Sequence, residues 1–125
     1  MSLHKEFGYQ VPCLIIQPNL RTMNEYYVKE DYETVIQGEH IFIEKGFSYD
    51  GASIPWPLWP ILGHPMHPRL CTAAGIHDKG YRGVLPRDVA DLMFYNVLLD
   101  HGYPKCKAKI AYLGVRLFGG FYYRG

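Results

Sequence analysis

Ala73-Ala74-Gly75-Ile76-His77-Asp78-Lys79-Gly80-Tyr81 is the stretch on which the reading of this chain turns. On a helix, residues four apart stack, so Ala73, His77 and Tyr81 line one stripe while Ala74 and Asp78 line the next. The two alanines and Gly75 keep the preceding turn small, which lets another helix or a substrate approach His77 closely. Imidazole is the side chain that titrates nearest neutrality, so His77 is a natural general base once a carboxylate fixes its far nitrogen. Asp78 points about a quarter turn away on a helix and is poorly placed to be that carboxylate. Asp91 meets the requirement if the next helix packs back across residues 82–85. Asp78 then faces a proline-rich loop, and a carboxylate beside loop carbonyls suits a hard cation such as calcium. The same residues have a second reading, in which His77 and Asp91 are a buried polar network that specifies one core arrangement and Tyr81 is a core aromatic whose hydroxyl finds a partner. The two readings part on one point. Catalysis needs the His77 ring beside an open pocket, and a sealed ring leaves the scaffold role.

Punctuation around this stretch predicts three helices. Pro68 can open the first near Arg69, Pro86 the second and Pro104 the third, while Gly102 and Gly119-Gly120 stop the last two. The second, residues 86–101, places Val89, Ala90, Met93, Phe94, Val97 and Leu98 on one apolar face with Asp91 beside it. The third, residues 104–118, reads with Cys106, Ile110, Leu113 and Leu117 inward and Lys105, Lys107, Lys109 and Arg116 outward. Upstream the period changes to two, with strands predicted over residues 26–29, 32–37 and 40–44, a short one over 13–16, and a hairpin turn at Gly38-Glu39. The predicted fold is α+β: a small antiparallel β-meander, a loop and three helices, in a single domain over residues 1–125.

The loop over residues 46–68 holds five of the nine prolines, and a structureless connection that long in a compact chain usually has a task. Asp50-Gly51 is turn chemistry and Ser53 or Pro55 can start a helix. Asp50 and Ser53 are also able to face His77. A Ser53-His77-Asp91 triad ranks low because no G-x-S-x-G elbow surrounds the serine. His64 and His67, taken with His77, fit no zinc-ligand spacing. Trp56-Pro57-Leu58-Trp59-Pro60 is a rigid aromatic patch, either core cover or a surface for a lipid or host-protein partner.

Thirteen basic and twelve acidic residues leave a net charge of +1, so no phosphate-tracking surface is indicated and nucleic acid is not an evident partner. Cys13, Cys71 and Cys106 are too far apart for a C-x-x-C motif and read as reduced thiols. No apolar run approaches the roughly 20 residues that span a bilayer, and the start does not read as a signal peptide.

The ordered set Gly46-Phe47-Ser48-Tyr49-Asp50-Gly51-Ala52-Ser53-Ile54-Pro55, Leu58-Trp59, Gly63, Pro65, Ala73-Ala74, His77-Asp78, Tyr81, Ala90-Asp91, Phe94 and Val115-Arg116-Leu117-Phe118-Gly119 resembles an uncharacterised family of phage and prophage proteins catalogued as a domain of unknown function. The resemblance covers residues 24–119. It implies a place in the bacterial host's cytoplasm or on the virion, with virion or host proteins as partners. That family's pattern ordinarily continues Ser-Ile-Pro with Arg, where this chain has Trp56. A second resemblance concerns chemistry alone: H-D-x-x-Y on one helix and A-D-x-x-F on the next is similar to the catalytic helices of phospholipase A2. It implies a hydrolase of lipid or ester substrates with His77 as base, Asp91 as its orienter and Asp78 as a calcium ligand. Leu62-Gly63-His64-Pro65 then stands nearest to the calcium loop, with Gly63 at the metal, but without that loop's run of glycines. Asp50, Ser53, Tyr81, Trp56 and Trp59 would line the site.

Overall fold

In the computed structural model, residues 11–21, 25–49, 56–64, 66–121 and 123 are described. The expected Asp50 and Ser53 lie outside these residues, as does Pro65. The chain divides into two compact units, Met1–Asp50 and Gly51–Gly125. The architecture is α+β, antiparallel strands followed by helices, as the change of period predicts.

The first unit holds β1 (Ile16–Pro18), β2 (Tyr26–Val28), β3 (Tyr32–Ile36), β4 (Glu39–Ile43) and β5 (Ser48–Tyr49). Strand order is not that of a simple meander. β1, β2 and β5 form one antiparallel sheet in that order, and β3 with β4 forms a separate hairpin between β2 and β5. Pro18, which cannot donate to a ladder, sits on the edge strand β1, where one side needs no partner. In β4, Ile41 and Ile43 are buried and Phe42 is exposed, the alternation expected of a half-covered strand. The hairpin turn falls one residue earlier than predicted, on Gln37 and Gly38, because β3 and β4 pair Ile36 with Glu39. Both turn residues have positive φ, 55° and 78°, the geometry that matches the twist of two flanking strands. The predicted strand at residues 13–16 moves forward to β1. Just before it, Leu14 is buried and Ile15 is exposed.

In the second unit, a 3-10 turn (Trp56–Leu58) runs into a single helical turn, α1 (Trp59–Leu62). Three longer elements follow: α2 (Cys71–Lys79), continued by a wider turn over Gly80–Val84, α3 (Arg87–Asp100) and α4 (Lys105–Phe118). Pro86 and Pro104 stand immediately before α3 and α4. There the missing N–H is harmless and the fixed φ is an advantage. Gly83, at φ 90°, lets the chain leave the wide turn in a conformation that a side chain would strain. α3 packs against both α2 and α4. The core of this unit is Leu70, Ile76, Met93, Phe94, Val97, Leu98 and Val115, all essentially without exposure.

α4 corrects the sequence reading. Its inward residues are Ala108, Ala111, Gly114 and Val115, whereas Cys106, Ile110, Leu113 and Leu117 are exposed. Helical periodicity reveals an apolar stripe but not which stripe the neighbours take. Small side chains let helix backbones approach closely, and here the small-residue stripe is the packed one. Arg116, expected outward, reaches inward to Asp91.

Candidate functional site

The site is built on α2 and α3. His77 lies in the last turn of α2, and all residues from Thr72 to Asp78 are buried. Asp91 lies one turn into α3 on its buried face. The close approach of the two elements is visible at Gly80, where a Cβ would come within 3.0 Å of the Ala90 methyl. That approach brings the His77 Nε2 to 2.7 Å from Asp91 Oδ1. The imidazole donates to the carboxylate, in the pairing that the sequence predicts between residues fourteen apart.

Asp91 is the hub. Its Oδ1 also accepts from the Tyr81 hydroxyl at 2.5 Å, and its Oδ2 accepts from Arg116 Nη1 at 2.7 Å. Arg87, one helical turn before it, stands 3.9 Å from Oδ2 and donates from Nε to the Tyr81 oxygen at 3.2 Å. The same guanidinium donates from Nη2 to the carbonyls of Val115 and Arg116 at 2.9 and 2.5 Å. It thereby ties the start of α3 to the last turn of α4, where a cation is favoured by the helix dipole. Tyr81 is packed against the glycine turn after α4, since a Cβ on Gly119 would collide with its hydroxyl. The His77 ring is enclosed by Tyr81 and Phe94, with centroids 4.0 and 4.9 Å away.

Electrostatics follow from these contacts. Burial pushes the Asp91 carboxyl up, but hydrogen bonds from His77, Tyr81 and Arg116 outweigh it and hold the group below its ordinary range. Burial first, and the bond to Asp91 second, push the Tyr81 phenol well above its ordinary value. The bond to Asp91 also raises Arg116. The result is an ionised carboxylate held by four donors or cations from three helices and the turn after α2. Among the described residues no buried side-chain nitrogen or oxygen lacks a hydrogen-bond partner.

The acid therefore arrives where expected, and the opening does not. His77 and Asp91 have 0% exposure, so in this conformation the ring has no contact with solvent. Asp78 is 8% exposed, and the Arg87 and Arg116 side chains that reach Asp91 are themselves partly exposed. Gly63 follows α1 with φ 99°, and His64 and His67 are exposed in the turn that leads to α2. Trp59 is half-buried with its ring edge-on to His64 at 4.9 Å. Trp56 belongs to the 3-10 turn. Among the described residues no three His, Cys, Asp or Glu side chains gather as metal ligands. No described helix is long and apolar enough to cross a membrane.

Two site residues escape the sequence reading. Arg87 could have been found, because a cation four positions before an acid on one helix is a stabilising pair. Arg116 carries no such local signal, since its partner is twenty-five residues away.

A family model described as "Protein of unknown function (DUF1353)" matches residues 25–115. No curated protein and no solved structure matches the chain.

Proposed function

The chain belongs to the DUF1353 family of proteins of unknown function, and within it we propose a non-enzymatic structural, assembly or host-interaction protein, of phage or prophage origin, that acts through its surface. One observation carries this reading. The His77–Asp91 pair, which sequence reasoning makes the centre of any chemistry, is sealed and fully bonded. A ring without solvent exposure meets neither water nor substrate in this conformation. Instead the carboxylate fastens α2, α3 and α4 to one another, because His77, Tyr81 and Arg116 reach it from three directions. Deleting the His77 ring removes one hydrogen bond to a charged acceptor and leaves a cavity at a fully buried position, a combined cost of about 3–5 kcal/mol. The test is unfolding of His77→Ala in denaturant at neutral pH, with a loss of that size expected. A variant as stable as the parent contradicts the reading.

A second reading, a phospholipase A2-like or other esterase-type hydrolase, is favoured by a different observation. Asp91 binds Nε2 and is itself steadied by Tyr81, which fixes the ring and directs Nδ1 as the candidate basic atom. This reading requires the cover over His77 to open, so that water and substrate reach the ring. Calcium held by Asp78 and carbonyls of the Gly63 loop would supply the electrophile for an oxyanion. It is separated from the first by turnover of phospholipid or simple esters, with and without calcium, by the parent and by His77→Gln, which keeps a hydrogen-bonding side chain. Turnover lost in a folded His77→Gln establishes the enzyme and ends the scaffold reading. Equal or absent turnover in both ends the enzyme.

A further inference from the structure

The face of α4 that was expected to be core is the largest unexplained feature of the second unit. Ile110, Leu113 and Leu117 are 39%, 57% and 73% exposed, and Phe118 and Phe121 at the helix end are 49% and 86% exposed. With Cys106 they sit at positions i, i+4, i+7 and i+11, then run on into the turn after the helix. An apolar stripe of this length left in water calls for a partner.

We propose that this face of α4 docks on an anionic lipid surface, lying in the interface rather than crossing it. Charge decides the partner. Every charged residue of α4 is basic: Lys105, Lys107, Lys109 and Arg116, with no acidic residue between Lys105 and Phe118. At about 100° per residue, Lys107 projects about 60° to one side of Ile110 and Lys109 about 100° to the other. The stripe therefore runs between cations, and all three lysines are exposed. That is the pattern of a helix that sinks its apolar side chains to the acyl boundary while long basic side chains reach the headgroups. A second copy of the chain fits less well, because apposing two such faces brings lysine against lysine with no acid on either helix. The chain's overall charge of +1 makes the basic concentration local to this element and not a property of the whole surface. The proposal rests on the reading of a protein that acts through its surface, and names the surface and its partner.

The experiment is co-sedimentation of the full chain with vesicles of phosphatidylglycerol and phosphatidylcholine against vesicles of phosphatidylcholine alone. Binding to the anionic vesicles is expected, weakening as salt rises. Two variants are compared: Leu113→Ser with Leu117→Ser, and Lys107→Glu with Lys109→Glu. Each near-surface lysine contributes on the order of fivefold in affinity, so the charge variant is expected to lose at least tenfold, and the leucine variant a similar factor. No binding by the parent overturns the proposal, and so does binding that neither variant alters. If the leucine variant turns a parent dimer into a monomer, the face covers a second copy. If it melts well below the parent, the face covers another part of this chain. Either outcome also overturns the lipid assignment. Failure here leaves the His77→Ala unfolding result untouched, so the docking surface and the polar scaffold fail separately.

Discussion

The centre of the helical unit and the outer face of α4 invert the usual division between inside and outside. At the centre, a histidine, an aspartate and a tyrosine hydroxyl are buried and joined by arginines. On the face, leucine, isoleucine and phenylalanine stand in water. The polar centre is tolerated because every buried side-chain nitrogen and oxygen among the described residues has a hydrogen-bond partner, so desolvation is offset by short charged hydrogen bonds. The apolar face has no matching surface on the described chain. A polar interior of this kind speaks about the protein's own architecture, and an apolar exterior speaks about what it meets.

The sharpest way to break this comparison is Asp91→Ala. It leaves His77, Tyr81 and Arg116 without their common acceptor and is expected to lower the free energy of unfolding by about 3–5 kcal/mol, as read from denaturant curves. A loss below about 1 kcal/mol would remove the hub from the account. Tyr81→Phe keeps the ring that covers His77 and deletes one hydrogen bond to a charged acceptor, with an expected loss of about 1.5–3 kcal/mol. Gly119→Ala, which drives a methyl into the same hydroxyl, is expected to cost about 1–3 kcal/mol by overpacking. If the phenylalanine variant tolerates Gly119→Ala far better than the parent does, the collision is located at the oxygen.

Acid gives a finer test. The Asp91 carboxyl is held below its ordinary value by its donors, so the folded state binds its proton less readily than the unfolded chain. The stability it contributes is fully present above about pH 4, the unfolded value, and is lost as pH falls through the lower folded one. The difference in stability between the parent and Asp91→Asn should therefore shrink as pH drops below about 4. A difference that stays constant down to pH 2 contradicts the assignment. Tyr81 has the opposite sign: its raised phenol contributes below about pH 10, and that contribution is lost as pH rises further. The smallest effect is expected on the outer face. Leu117→Ser should leave the melting temperature unchanged, since its side chain is already in water.

Much of this was legible in the residues. Proline and glycine punctuation located α3 and α4 to within a residue, because these two residue types act on the backbone itself. The period of two in Ile41-Phe42-Ile43 identified a half-covered strand. The His77–Asp91 pairing followed from one apolar face carrying an acid and a short connection between two helices. What escaped was decided by tertiary contact. α4 has two stripes, one of small residues and one of large apolar ones, and a hydropathy pattern favours the large one. Close packing of α4 against α3 and against Leu58 chose the small residues. The same choice turned Arg116 toward Asp91, and no local spacing announces a partner that far along the chain. The splitting of the strands into β1-β2-β5 and a separate β3-β4 hairpin was hidden for a similar reason, since pairing beyond the nearest neighbour leaves no mark on the strand's own sequence.

The central claim is that the imidazole of His77 and the carboxylate of Asp91 stabilise the fold as one unit. A double-mutant cycle with His77→Gln and Asp91→Asn, measured by denaturant unfolding at neutral pH, isolates their coupling. The double variant is expected to lose less than the sum of the two single losses, by at least about 1 kcal/mol. Losses that simply add would show two residues that are neighbours without being partners.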